Sequence, residues 1–171
     1  PEAERDKILE KITDSLKDNP EDLLAVLFKA RAFNKVIEHI KDNYEHYFRN
    51  YLYNTLELLL EPLKKQFPDH VFLNFLQIRL LRSVGNVNKA VEIIDKLSPA
   101  ERLPEIILEE GVCLSMAGLY SKSIEKLSGL ENGEQKNKLK ISDYLTLINC
   151  LGIAYLNNHQ LDLALSYFHK A

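Results

Sequence analysis

Apolar positions along this chain recur every three to four residues, from near the N-terminus to Ala171, with polar clusters between the runs. No segment shows a sustained period of two with β-branched enrichment, so helices are predicted throughout and no sheet. The periodic runs place helices near 3–18, 21–42, 44–66, 70–83, 88–97, 104–117, 120–129, 139–157 and 160–171. Punctuation agrees with them. Asn19-Pro20-Glu21-Asp22 sets an N-cap, a first-turn proline and two acids in helix-opening order. Ser98-Pro99-Ala100-Glu101 has capping-box spacing, and Pro68-Asp69 and Pro104-Glu105 open further helices. Val84-Gly85-Asn86, Ala117-Gly118 and Asn157-Asn158 mark turns. Pro62 lies inside a predicted helix and should kink it, because it removes a backbone donor and crowds the preceding turn.

The helical pattern repeats. Leu56, Ala90, Ser123 and Ala164 form a column of mostly small residues. Leu60, Ile94, Leu127 and Phe168 follow four residues later. Tyr44, Ile78, Gly111 and Gly152 form a second column, and Tyr47, Leu81, Leu114 and Tyr155 a third. The steps between copies are 34, 33 and 41 residues. The last copy is the sharpest, with Leu151, Gly152, Tyr155, Ala164, Phe168 and Ala171 at the spacing L-G-x2-Y-x8-A-x3-F-x2-A. Gly152 and Ala164 are small where helices would cross, Tyr155 fills the gap beside the glycine, and Phe168 lines an inner face.

This spacing resembles the tetratricopeptide repeat, a helix–turn–helix unit of 34 residues. The resemblance is closest over 146–171, looser over 70–130 and weakest before that, where Tyr44 occupies the crowded crossing site. It implies an all-α, right-handed α-solenoid of antiparallel helix pairs. The whole of 1–171 would be one such domain. Residues 1–69 would be an irregular helical part, in which 21–67 forms a pair of long helices. Residues 70–171 would hold three repeats, with an insertion near 131–141. That insertion, polar and without an apolar period over 131–138, reads as a solvated loop or as the first turn of a lengthened helix, and Lys136, Lys138 and Lys140 as solvated charge. A repeat of this kind cannot bury its apolar face alone, so neighbours are needed. Pro1 in place of an initiator Met, and an end at Ala171 inside a predicted helix, suggest a fragment of a longer chain.

Composition narrows the function classes. The chain has 171 residues, enough for one sizeable core or four to five helix pairs. Its 46 % hydrophobic and 27 % charged residues are ordinary for a folded protein. The net charge of −3, from 22 basic and 25 acidic side chains interspersed, offers no basic stripe for nucleic acid. No apolar run reaches the ~18 residues of a membrane helix, and no signal peptide is visible, so no membrane insertion and a cytoplasmic location are expected. Cys113 and Cys150 lie in apolar helical patterns and read as reduced, buried thiols.

Nothing points to catalysis. There is no G-x-S-x-G, no H-E-x-x-H and no glycine-rich phosphate loop. His39, His46, His70, His159 and His169 are scattered, and no metal or cofactor site is expected. Glu109 and Glu110 are adjacent on a helix and point about 100° apart, so they make no acid/base dyad.

The expected role is binding. In the repeat family the first helix of each pair lines a concave groove that holds peptides. Carried over, the resemblance puts Phe72, Phe75, Arg79 and Arg82, which share one helical face, in the groove. Arginines there could clamp a partner's carboxylate. Glu105 would stand near the entrance of the next stretch, lined by Leu108, Val112 and Ser115, and Thr146, Asn149, Ile153 and Asn157 would line the last. These positions are largely apolar and depart from the lysine/asparagine clamp by which some members hold the acidic tail of heat-shock chaperones. The resemblance implies a protein-interaction scaffold or adaptor, with a protein or peptide as partner. Two alternatives stay open at this point: a peptide-sensing domain of a regulator, and a secretion chaperone that holds an unfolded client.

Overall fold

The computed structural model describes residues 2–171, apart from the side chains of residues 2, 3, 5 and 6. The described residues form ten α-helices and no strand. In order they are α1 (Glu2–Leu16), α2 (Pro20–Lys29), α3 (Phe33–Arg49), α4 (Tyr53–Gln66), α5 (Val71–Ser83), α6 (Val87–Lys96), α7 (Pro104–Met116), α8 (Tyr120–Asn132), α9 (Ile141–Asn157) and α10 (Leu161–Phe168). Two short 3-10 turns, Pro99–Glu101 and Glu134–Lys138, join α6 to α7 and α8 to α9. The second of these lies within the segment 131–141 that was expected from the sequence to hold an insertion. The chain divides into two compact units, Pro1–Leu73 and Asn74–Ala171, with the boundary inside α5. In the first unit α2 packs on α1 and α3, and α3 on α4. In the second α6 packs on α7, α7 on α8, α8 on α9 and α9 on α10, and α7 also meets α9.

One connection is used five times. Arg31, Tyr51, Gly85, Gly118 and His159 all adopt the left-handed backbone, with φ of 53°, 56°, 83°, 75° and 60°. The residue after each donates its N–H to a carbonyl five positions back. These bonds are Ala32 to Leu27 (3.0 Å), Leu52 to Tyr47 (2.9 Å), Asn86 to Leu81 (2.7 Å), Leu119 to Leu114 (2.9 Å) and Gln160 to Tyr155 (2.9 Å). The left-handed residue itself donates three positions back, as Gly118 does to Ser115 at 3.0 Å. This is the Schellman ending of a helix. In every case the next helix begins two residues after the left-handed one, at Phe33, Tyr53, Val87, Tyr120 and Leu161. From Tyr51 onward the turns step by 34, 33 and 41 residues, the same steps as the sequence columns.

Two boundaries correct the reading of the sequence. The helices expected over 21–42 and 44–66 are three helices, broken at Arg31 and Tyr51. Neither break carries a glycine or proline, so nothing local marks it. The left-handed residue is held by what each hairpin then buries: Val36 and Leu56, five residues beyond the two breaks, are both 0 % exposed. Pro62 does not end α4, which runs on through it. The carbonyl that loses its donor belongs to Leu58, which is 77 % exposed, so water can take the missing bond.

Helix crossings fall where the columns put them. Ala90, Ser123 and Ala164 are all 0 % exposed. A Cβ added to Gly111 would come within 2.2 Å of the Leu127 side chain. At the equivalent Gly152 it would come within 2.5 Å of the Phe168 ring. The hydroxyl of Ser123 donates to the Gly111 carbonyl at 2.8 Å, so this buried hydroxyl is satisfied at the crossing. Capping follows the sequence too. The Asp22 N–H donates to Asn19 Oδ1 at 3.4 Å, and the Ser98 N–H to Glu101 Oε2 at 2.9 Å.

These contacts give two expected outcomes in denaturant unfolding. Gly118→Ala adds a methyl with no atom within 4 Å, so only backbone strain opposes it, and a loss of about 1 kcal/mol is expected. His159→Gly relieves the same strain and should be neutral or stabilising by up to about 1 kcal/mol. No loss at Gly118 would mean that the turn is not left-handed. At the crossings, Gly111→Ala should lose about 1–3 kcal/mol, because Leu127 is 0 % exposed and has nowhere to move. Gly152→Ala should lose clearly less. Phe168 is 39 % exposed and can swing outward, and alanine gains about 1 kcal/mol over glycine inside a helix. Equal losses at the two sites would refute this account.

Candidate functional site

Charged side chains inside an otherwise apolar helix must find partners, and α5 carries two. Arg79 and Arg82 stand three residues apart on one face, among Leu76, Ile78 and Leu80. Both point into the second unit, with side chains only 14 % and 20 % exposed. Arg82 Nε pairs with Glu109 Oε2 of α7, and Arg82 Nη2 donates to the other oxygen at 3.3 Å. The two contacts form a fork of the kind that arginine makes with carboxylates. Arg79 Nη1 donates to Asp143 Oδ1 of α9 at 2.9 Å, and its Nε lies 3.7 Å from Glu109 Oε1. The side chains of Glu109 and Asp143 are 3 % and 1 % exposed. Two arginines and two carboxylates thus bind α5, α7 and α9 into one buried cluster.

Burial shapes the acid–base behaviour of this cluster. It pulls the Arg82 pKa down, but the charge and hydrogen bonds of Glu109 outweigh it, and the guanidinium is held above its ordinary value. Cys113 and Cys150 lie within the field of the same pair. Burial pushes the Cys113 thiol up to about 12, with Glu109 adding to the rise and Arg82 opposing it. Burial likewise pushes Cys150 to about 11. Both therefore stay protonated near neutral pH and are poor nucleophiles. Among the described residues no group of three or more His, Cys, Asp or Glu is placed to hold a metal ion.

Glu110 turns the other way, as adjacency on a helix requires. It accepts from Arg102 at 3.1 Å and pairs with Lys126 of α8 at 3.0 Å. A separate polar knot serves the first unit. There the Tyr47 hydroxyl donates to the Pro20 carbonyl at 2.9 Å, and His39 Nε2 lies 2.8 Å from the same oxygen. Burial lowers the His39 pKa, while the bond to Pro20 and the charge of Asp42 oppose the fall. Beside this knot opens a cavity of about 440 Å³, walled in part by Glu10, Asp14, Glu38 and Asp42. None of the residues expected to line a groove borders it.

The twelve residues singled out from the sequence part company, with Leu108 1 % exposed, Ser115 half-buried and Ile153 45 % exposed. Phe72 and Phe75 are core residues, 8 % and 3 % exposed, and not groove walls. Phe72 sits 6.4 Å from the Tyr44 ring, and the Arg79 guanidinium lies 5.8 Å from the Phe75 ring. Val112, 8 % exposed, is also core, clustered with Leu108, Leu127, Leu147, Ile148 and Leu151. Periodicity shows which residues share a face but not which face a neighbour covers, and here the neighbours cover this one. The acidic groups that Arg79 and Arg82 meet belong to this chain and not to a partner. Glu105 and Thr146 remain half-buried, and Asn149 and Asn157 exposed. The Thr146 hydroxyl and the Asn157 amide donate back to Ser142 and Ile153 carbonyls of their own helix, each at 2.9 Å.

The buried carboxylates Glu109 and Asp143, which complete the cluster, are not among the residues singled out from the sequence. Their signal was present, since a carboxylate between Leu108 and Val112 in an apolar period needs a cation. Comparison of the chain with protein-family models, with curated proteins and with solved structures yields no match.

Removing one member of a buried ion cluster leaves the others unpaired. Glu109→Ala should therefore destabilise the chain by about 3–5 kcal/mol, read from urea unfolding at neutral pH. A loss under about 1 kcal/mol, the range of surface ion pairs, would show that the cluster is solvated and peripheral.

Proposed function

We propose that this chain is a right-handed α-solenoid of antiparallel helix pairs, similar to the tetratricopeptide repeat, and that it serves as a protein-interaction scaffold. The observation that supports this reading most is the turn used five times, the last four of them at the 34, 33 and 41-residue steps on which the crossings also fall. Hairpins joined in the same way, and packed in sequence order as α7 to α10 are in the second unit, leave their first helices side by side. Such a surface suits an extended peptide or a partner helix.

The binding face on this reading is narrower than the sequence expectation. Counted from the left-handed residue of each hairpin, Glu105 and Thr146 hold the same position, thirteen residues before the turn. Met116 and Asn157 share another, two residues before it, and both are exposed. The two positions are eleven residues apart and so lie on one helical face. On α7 this stripe is open only at its two ends, since Glu109 and Val112 between them are buried, and on α9 it runs from Thr146 through the exposed Ile153 to Asn157; together these positions form the groove. The cluster of Arg79, Arg82, Glu109 and Asp143 holds the two helices in place beneath it. A rigid platform lowers the ordering cost of binding. The described residues include no helix long and apolar enough to cross a membrane, which agrees with a partner met in water.

A photo-crosslinking side chain at position 146 or 157, placed in the full-length protein in its own cells, tests this. Covalent adducts with a protein are expected from both positions and not from Lys122 or Glu125, exposed on α8. Asn157→Arg should then weaken the recovered partner by at least about tenfold, close to 1.4 kcal/mol, with an unchanged melting temperature. Adducts confined to the α8 positions would overturn the proposal.

A further inference from the structure

The cavity of about 440 Å³ in the first unit is built around one pair of residues from each of three helices. Glu10 and Asp14 of α1, Leu23 and Leu27 of α2, and Glu38 and Asp42 of α3 each stand four residues apart, so each pair shares one face of its helix. Helix α2 packs on both α1 and α3, and Leu23 and Leu27 are only 4 % and 2 % exposed. They make an apolar floor between two acidic walls, whose four carboxylate residues are exposed.

The walls carry more negative charge than the lining answers. Like charges one helical turn apart repel, so Glu10 with Asp14, and Glu38 with Asp42, each work against their own helix. Against these four carboxylates the described lining sets one lysine, Lys35, and no arginine. Among the described residues none of the five makes an ion pair. His39 also lines the cavity but adds no charge near neutral pH. Its Nε2 lies 2.8 Å from the Pro20 carbonyl and 3.1 Å from the Tyr47 hydroxyl, and burial lowers its pKa. A recess with an apolar floor and convergent polar groups is the usual form of a ligand site. The charge of the walls selects a cation. The floor selects one on a hydrocarbon stem, since such stems lie on apolar surface while their charged heads reach polar groups.

We infer that this cavity binds an aliphatic polyammonium ligand, whose methylene chain lies on Leu23 and Leu27 while its ammonium groups meet Glu10 and Asp14 on one side and Glu38 and Asp42 on the other. A free polyamine and the neighbouring lysine side chains of a peptide offer the same chemistry. The site belongs to the first unit and uses none of the groove residues, so it stands apart from the scaffold reading.

Spermidine titrated into the full chain at low salt, followed by calorimetry, tests this. Saturable binding is expected. The double variant Asp14→Asn, Asp42→Asn should weaken it at least about tenfold, since each wall loses one carboxylate. Without ligand this variant should melt at or above the parent, because each like-charge pair is relieved, so lost binding is not lost folding. Glu57→Gln, at an exposed acid on α4, should leave the affinity unchanged. A trilysine peptide is the second probe. Tighter binding than spermidine, weakened by the same double variant, assigns the site to lysine side chains, and equal or weaker binding assigns it to a free polyamine. Magnesium ion bound as tightly as spermidine would show mere attraction of charge and overturn the inference. No saturable binding of either amine, or equal binding by the double variant, would overturn it too. Photo-adducts from positions 146 and 157 read the groove separately, so either site can fail without the other.

Discussion

Each helix pair depends on one backbone hydrogen bond, made across a residue in the left-handed conformation to a carbonyl five positions back. The bond ends the first helix, satisfies a carbonyl that would otherwise lack a donor, and sets the direction in which the second helix leaves. Because the geometry is the same at Arg31, Tyr51, Gly85, Gly118 and His159, side chains at fixed offsets from the turn meet the same surroundings each time. The residue five positions on is Val36, Leu56, Ala90, Ser123 or Ala164, and every one is 0 % exposed. The turn thus determines which residues become crossings, and the crossings set how close the helices pack. Glycine serves the turn without strain at two of the five sites. At the other three, burial in the hairpin offsets the strain of a side chain at positive φ.

Apolar packing alone would let neighbouring hairpins slide over one another. The cluster of Arg79, Arg82, Glu109 and Asp143 gives the second unit a specific alignment, because buried charges tolerate only positions where their partners are met. Its members come from α5, α7 and α9, the first helices of three successive hairpins. Their net contribution to stability need not be large, since desolvation opposes the attraction. Misalignment is what they penalise. Burial disfavours the thiolates of Cys113 and Cys150, which lie within the field of Arg82 and Glu109.

Much of the architecture was legible in the order of residues. Helical content, the 34, 33 and 41-residue steps, the caps at Asn19 and Ser98, and the small residues at positions 90, 111, 123, 152 and 164 all follow from local rules. Those rules act over about five residues, the reach of a helical turn and its caps. The candidate site was legible only in part. Arg79 and Arg82 stood out as unusual in an apolar helix. Their partners Glu109 and Asp143, in sequence far beyond that reach, could not be assigned from spacing.

Tertiary structure decided the rest, and for one physical reason. Whether a side chain is buried depends on what packs against it, and the covering helix can come from anywhere in the chain. Arg31 and Tyr51 break helices without a glycine because the hairpins they close bury Val36 and Leu56. Phe72, Phe75 and Val112 share their faces with polar residues yet lie in the core, because neighbouring helices cover them. Ile153 has the same offset from its turn as Val112 and lies at the surface. The sequence by itself determined that the chain would be helical, that it would turn near Gly85, Gly118 and Asn158, and which small residues would sit at crossings. Only the packed structure decided which faces were closed and which stayed open, since closure is a property of neighbours and not of a residue's own helix.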